Sequence, residues 1–238
     1  ELNRISSKYN DSGFDFEFIF LDNCSTDGTS DLIQGICEND NRYKCIVFSR
    51  TFDLDMSLHA GYKHAKGDAM VVLYSDLQDP PDVIHDFINK WQEGYDVVYG
   101  VRKVRPGDPK WRNFLVSLAY KLINRLSDYH IPENTGDFRL ISRRVRDELM
   151  KCNESNRYTR GLISWLGFKQ VGIEYERLPR ISGESKVNLF HLFVFTLSAI
   201  SSFSLKPLRL FTYLGFSMLF LCMMLGPFYF AGYLFGLN

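Results

Sequence analysis

Hydrophobic and polar positions change period repeatedly along the chain. FEFIFLDN (16–23), KCIVFS (44–49), AMVVLYSD (69–76) and YDVVYGVR (95–102) are short apolar runs, each ending in polar residues, and they read as strands. Between them the spacing turns helical. A helix is expected from about Ser30 to Glu38, capped by Ser25 or Thr26, with Asp27 and Asp31 near its positive end. Residues 57–68 read as a second helix closed by Gly67, and 82–93 as a third with Val83, Phe87 and Trp91 at intervals of four. This alternation predicts an α/β, doubly wound, mostly parallel sheet. Beyond it, residues 111–128 carry a helical stripe through Phe114, Leu118, Leu122 and Ile123, a further helix ends near Cys152, and residues 169–180 alternate like an edge strand.

The carboxyl-terminal pattern differs in kind. Leu210 to Leu237 is an unbroken run without a charged residue, longer than the ~20 residues that cross a bilayer core. Pro227 and the glycines within it are tolerable in a membrane helix. Lys186, Lys206 and Arg209 precede the run and no Lys or Arg follows, so the positive-inside rule places the large amino-terminal portion in the cytoplasm. Residues 187–204, aromatic yet carrying serines, a threonine and a histidine, read as a helix lying at the membrane interface, with a further short span as the competing reading. The chain starts at Glu1 and stops at Asn238 just past one apolar run, so truncation at both ends is expected.

The polar residues at the strand ends carry the candidate chemistry. In VVLYSDLQDPP (71–81) a buried strand runs straight into Asp76, Gln78 and Asp79 and is stopped by Pro80 and Pro81. Asp22 and Asn23 end an earlier strand in the same way. The carboxyl ends of parallel strands line one edge, where ligands bind in open α/β sheets. One cluster can take a nucleotide base or ribose. In the other, alternate residues of an extended segment, Asp76 and Gln78, can offer two oxygens to Mg²⁺ or Mn²⁺, which would offset the charge of a diphosphate. A basic set, Arg102, Arg105, Arg139, Arg143, Arg144, Arg180 and Lys186, falls between the sheet and the apolar tail, where cations can hold a lipid phosphate.

Composition narrows the reading. Of 238 residues, 28 are Lys or Arg and 28 are Asp or Glu, a balance that gives no support to nucleic-acid binding. The five cysteines show no CxxC spacing, which argues against a zinc site or disulfide framework and fits a reducing compartment.

Six ordered stretches, FLDNCSTDGTSDLI, YSDLQDPP, NTGDFRLISRRV, YTRGLISWLGF, RISGESK and FSLKPLRL, together resemble the polyisoprenyl-phosphate glycosyltransferases of glycosyltransferase family 2. Bacterial bactoprenol glucosyltransferases are the nearer type and dolichol-phosphate mannose synthases the more distant. The resemblance implies a GT-A, Rossmann-like catalytic domain over 1–180, a phosphate loop and interfacial helix over 181–206, and a transmembrane helix over 207–238. It also implies a strand before Glu1 and a second membrane helix after Asn238, making the complete protein a multi-pass protein of the inner (plasma) membrane. The implied reaction is inverting transfer of a hexose, glucose from UDP-glucose, to undecaprenyl phosphate. Asp22 and Asn23 match the pair that holds uracil and ribose, with Asp76 also at the nucleotide sugar. Asp76 and Gln78 match the metal motif. Asp137 and Arg139 match the reacting centre and acceptor phosphate. Arg180, Ser185 and Lys186 match a loop over the phosphates, and with Arg102, Arg105 and Arg139 they make up the lipid-phosphate set. A homo-oligomer is compatible with the resemblance.

Three departures stand out: Tyr74 replaces an Asp at the head of the metal motif, Asn23 replaces an Asp, and SRTFDLDMSLHAG (49–61) replaces the usual SRNFGKE pattern. GDP-mannose and UDP-N-acetylhexosamine remain alternative donors, and a non-catalytic nucleotide-sugar-binding module remains an alternative class. A processive polysaccharide synthase lacks support because no QxxRW follows the acceptor segment. A phosphate monoester is already ionised near neutrality, with a second pKa near ~6. The reaction is therefore expected to need positioning and charge stabilisation more than a general base.

Overall fold

The computed structural model describes residues 1–9, 12–103, 132, 134–152, 154, 158–178 and 206–236, with backbone only for 206–210, 228–230 and 232–234. In chain order the elements are α1 (Leu2–Ser7), β1 (Phe18–Asp22), α2 (Thr29–Asn39), β2 (Tyr43–Val47), α3 (Leu54–His64), β3 (Ala69–Val71), α4 (Val83–Gln92), β4 (Val97–Arg102), β5 (Thr135–Ser142), α5 (Arg143–Lys151), α6 (Thr159–Trp165), β6 (Gln170–Tyr175) and α7 (Lys206–Leu234). The arrangement is α/β, as the alternating pattern predicts.

β1 pairs in parallel with β2, and a separate four-stranded sheet has the order β3-β5-β4-β6. β5 is antiparallel to both its neighbours and β6 is parallel to β4, so β3, β4 and β6 run one way and β5 alone opposes them. The alternating segment at 169–180 is indeed the edge strand β6. β5 is the element the opening pattern hides. All eight of its residues are buried, so it lacks the polar alternation that marks a half-exposed strand.

The two sides of β5 build two cores. Phe138 and Leu140 face Ile5 of α1 and Ile84, Phe87 and Ile88 of α4. Phe87 is wholly buried, with its ring centroid 4.8 Å from that of Phe138. Ile141, with Val97 of β4, meets Leu58 and Tyr62 of α3, Val145 and Leu149 of α5, and Leu162 and Ile163 of α6. Period two along β5 therefore sends Asp137 and Arg139 to the same side as Ile141, toward α3 and α6. At the β4–β5 irregularity, Gly100 is required because a Cβ there would lie 2.5 Å from the Tyr175 ring.

Local chemistry sets the helix starts. Asp53 caps α3 by accepting from the Met56 amide at 2.8 Å, and Ser142 caps α5 by accepting from the Val145 amide. α2 does not use Ser25 or Thr26 as expected. Its N-cap is Gly28 at φ 84°, with no side-chain cap, because Ser25 turns back to the carboxylate of Asp22. A backbone at that φ favours glycine.

α7 carries apolar side chains exposed all along 211–227, Phe211, Phe216, Met218 and Phe220 among them. Among the described residues no helix is long and apolar enough to cross a membrane, although the helical backbone of α7 continues over 29 residues. The expected helix at 111–128 and the interfacial helix at 187–204 lie outside the described residues.

Candidate functional site

The antiparallel insertion of β5 places its first residues beside the last residues of its neighbours. Val101 of β4 is in register with Thr135, and Arg102 with Tyr175 of β6. One sheet edge therefore receives the turn after β3 (Tyr74–Asp79), Arg102 at the end of β4, Thr135–Asp137 at the start of β5, and Arg177 just past β6.

Asp137 is the centre of this edge. It is 4% exposed and takes three hydrogen bonds from side chains: Tyr74 Oη at 2.5 Å, Arg160 Nε at 2.6 Å and Arg160 Nη2 at 2.5 Å. Burial disfavours the carboxylate, yet the two-pronged guanidinium of Arg160, the Tyr74 hydroxyl and the nearby charge of Arg139 outweigh it and hold the pKa down at about 2. Burial beside that carboxylate pushes the Tyr74 phenol far up, so it remains a donor. Tyr74 is thus the proton-bearing partner of Asp137 where the family pattern would bring another carboxylate. Asp55 of α3 accepts from the Thr159 amide at 2.8 Å, and burial pushes its pKa up. The divergent 49–61 segment is therefore tied to the start of α6, one residue from Arg160.

Arg139 behaves differently from its expected role. It is 5% exposed, donates from Nη2 to the Gly136 carbonyl at 2.8 Å, and burial lowers its pKa. Its guanidinium lies inside, near Tyr62, and Asp137 is met by Arg160. Arg160 sits in the quoted stretch YTRGLISWLGF, but sequence reasoning gave it no role. The polar Tyr-Thr-Arg-Gly ahead of an apolar run was the available signal.

Asp22, 4% exposed at the end of β1, accepts from the Ser25 amide at 3.2 Å and from the hydroxyls of Ser25 and Ser30. The Ser25 and Ser30 hydroxyls lower its pKa, leaving a fixed anion at the start of α2. Asn23 turns its amide to the next loop, donating to the Phe52 carbonyl at 2.8 Å and accepting from the Phe52 amide at 2.9 Å. It bridges the β1 and β2 loops, where the resemblance assigned it to the nucleotide.

The metal motif also differs from expectation. Tyr74 to Leu77 form a turn closed by the Leu77 amide to the Tyr74 carbonyl, and Leu77 lies at φ 49°. Asp76 and Gln78 are therefore not alternate residues of an extended strand, and the geometric basis for pairing their oxygens fails. Asp76 Oδ1 accepts from the Gln78 amide at 3.2 Å, and Gln78 is buried. Among the described residues no group of three His, Cys, Asp or Glu could hold a metal. A single carboxylate beside an amide does not fit an all-protein cage. It fits a hard cation held mainly by substrate phosphates and water, the habit of Mg²⁺.

The basic set is split. Arg102 lies at the site edge, and a Cβ on Gly136 would fall 2.4 Å from its Nη2, so the glycine before Asp137 makes room for this guanidinium. Arg143 and Arg144 lie at the opposite end of β5, pairing with Asp68 and Asp96. Arg105, Arg180, Ser185 and Lys186 lie outside the described residues.

The site is an α/β sheet edge at which buried carboxylates and guanidiniums meet. The glycosyl transferase family 2 profile matches residues 2–150, and the chain belongs to that family. It is 41% identical over 203 residues to an uncharacterized glycosyltransferase of Bacillus subtilis, covering 85% of this chain and 63% of that one. It is 39% identical over 202 residues to a prophage bactoprenol glucosyl transferase homolog of Escherichia coli, covering 85% and 66%. A bactoprenol glucosyl transferase of Shigella phage SfV is 38% identical, with coverage of 85% and 66%. The chain thus spans 63–66% of the length of these relatives.

Proposed function

We propose that this chain is the catalytic part of a membrane enzyme that transfers a hexose, glucose from UDP-glucose, with inversion onto the phosphate of undecaprenyl phosphate or a similar polyprenol. The observation that carries the reading is the meeting, at one sheet edge, of Asp76, Arg102 and the Asp137–Arg160–Tyr74 centre, in a chain whose relatives include proteins named bactoprenol glucosyl transferase.

In this reading Asp22 fixes the nucleoside. Asp76, with donor diphosphate and water, would hold Mg²⁺ or Mn²⁺, and Gln78 supports the turn. Such a cation supplies charge stabilisation to the departing diphosphate. Arg102, Arg105, Arg180, Ser185 and Lys186 would hold the acceptor phosphate. With a pKa of about 2, Asp137 is a poor proton acceptor at neutral pH and holds Arg160 in place. The acceptor oxyanion needs no base.

α7, whose uncharged run Leu210–Leu237 continues in the sequence past the side chains described at 211–227, would cross the membrane. Its 29 helical residues measure about 43 Å at ~1.5 Å per residue, more than a hydrocarbon core of ~30 Å. Lys186, with Lys206 and Arg209 in the first turn of α7, would keep the catalytic domain at the cytoplasmic face of the inner membrane. The complete protein would be multi-pass.

The test is transfer by the complete protein in membranes, given undecaprenyl phosphate and a panel of labelled UDP- and GDP-sugars. Labelled lipid from UDP-glucose is expected. Labelling only from GDP-mannose or a UDP-N-acetylhexosamine would replace the donor. Nucleotide-sugar binding without transfer from any donor would replace the enzyme with a binding module.

A further inference from the structure

Asp55 is a half-buried carboxylate that the proposed reaction leaves without a role. It lies in the first turn of α3, where the Asp53 cap accepts from the Met56 amide at 2.8 Å and so fixes the backbone on either side of Asp55. Its Oδ1 accepts from the Thr159 amide at 2.8 Å, across 104 positions of sequence. α6 has no cap of its own: Tyr158, its N-cap residue, makes no side-chain cap bond, and the first turn carries no acidic residue. The first amides of a helix have no partner within it. Asp55 therefore supplies from α3 the acceptor that α6 lacks.

The next residue along α6 is Arg160. Its Nε and Nη2 hold both oxygens of Asp137, and its Nη1 donates to the Thr135 carbonyl at 3.5 Å. A two-pronged pair depends on the planes of both groups, so a small rotation of α6 about its start would break one prong. Leu162 and Ile163 pack α6 against Leu58 and Tyr62 of α3, but apolar contact is non-directional and sets the angle of the helix less sharply than a hydrogen bond does. The Asp55–Thr159 bond supplies that direction one residue from the arginine. Burial raises the Asp55 pKa and the bonds from Thr159 lower it, while Asp137 and Arg160 lie close enough to act on it as well.

We propose that Asp55 is a positioning residue: it holds the start of α6 so that Arg160 meets Asp137 with both prongs, and it acts through Arg160 rather than on substrate. Its effect on rate rests on the transferase reading, whereas the link from Asp55 to α6 is a property of the folded chain.

The experiment measures kcat and KM for UDP-glucose and undecaprenyl phosphate with the complete enzyme in detergent, together with hydrogen exchange of the α6 amides by mass spectrometry. The variants are Asp55→Ala, Asp55→Asn, Arg160→Lys, which keeps the charge and loses the fork, and Asp55→Ala combined with Arg160→Lys. Asp55→Ala is expected to lower kcat about ten- to a hundredfold, the scale of a misplaced group, with both KM values within about twofold of wild type. Asp55→Asn should come within about threefold of wild type, because its carbonyl oxygen can still accept from the Thr159 amide. The double variant should lose no more than about threefold beyond Arg160→Lys, since both changes break one linkage, whereas independent contributions would multiply. Exchange over 159–165 should speed up about tenfold in Asp55→Ala and return toward wild type in Asp55→Asn. Unchanged kcat in Asp55→Ala, no recovery in Asp55→Asn, or a multiplied loss in the double variant overturns the proposal. A raised KM for UDP-glucose at unchanged kcat also overturns it, by making Asp55 a substrate contact. Exchange is read without turnover, so unchanged exchange in Asp55→Ala overturns the linkage even where transfer is seen. Absent transfer by the wild type, with exchange as expected, counts against the transferase reading alone.

Discussion

Replacing Asp137 by Asn separates a positioning carboxylate from a general base. In the folded chain its pKa is about 2, against 3.8 for the free side chain. A gap of roughly two units corresponds to about 2–3 kcal/mol of stabilisation, since one unit is ~1.4 kcal/mol. The side chain is 5% exposed and its Arg160 partner 24%, so solvent screening removes little of this. Asn also turns an N–H toward Arg160, setting donor against donor. Because the folded pKa is depressed, the contribution is complete above 3.8 and lost as pH falls through about 2. Urea unfolding of the complete protein should therefore show Asp137→Asn about 2–3 kcal/mol less stable at neutral pH, with the gap closing toward pH ~2. In transfer assays the variant should lose roughly tenfold, below the 10²–10⁴ typical of a missing general base. The acid limb of the rate profile should stay near ~6 in both proteins, set by the acceptor phosphate. An acid limb in the wild type that disappears in Asp137→Asn, or a loss beyond a thousandfold with stability intact, would refute this reasoning and make Asp137 the base.

Three further outcomes follow from the same contacts. Tyr74→Phe removes a donor to a buried carboxylate and should destabilise by about 1.5–3 kcal/mol, while Tyr74→Asp, which sets a second carboxylate against Asp137, should destabilise more; urea midpoints rank them. Phe87→Ala empties the wholly buried contact with Phe138 and should lose about 3–5 kcal/mol by chemical denaturation. Gly136→Ala pushes Arg102 aside and should raise the KM for the acceptor with little change in the thermal midpoint, because only the end of a flexible side chain must move.

The end of β1 at Asp22 was legible in its apolar run, but β3 spans only Ala69–Val71 and the run on to Asp76 overstated it, because the chain leaves the sheet at Val72 and turns. The helices α2 and α4 were legible from their spacing, while α3 starts at Leu54 under its Asp53 cap and ends at His64, before the expected close at Gly67. β5 was not: a strand buried on both sides around Asp137 and Arg139 reads as a polar motif in an apolar stretch, and its direction follows only from long-range pairing. The Arg160–Asp137 pair crosses 23 positions, and Asp79 and Tyr175 lie 96 apart. No local period reports such contacts. Tyr74 looked like a lost metal contact, and the fold turns it into a hydrogen-bond donor. The oxygens of Asp76 and Gln78 were paired on the assumption of a straight strand, which Leu77 at φ 49° breaks.

The most direct measurement of the central claim is label transfer from UDP-glucose to undecaprenyl phosphate by membranes carrying the complete protein, comparing wild type with Asp76→Ala in the presence and absence of Mg²⁺. Glucosylated lipid from the wild type that depends on the cation and is lost in Asp76→Ala is the predicted result. Glucosylated lipid formed equally by Asp76→Ala, or none formed by the wild type from any nucleotide sugar, would contradict the account.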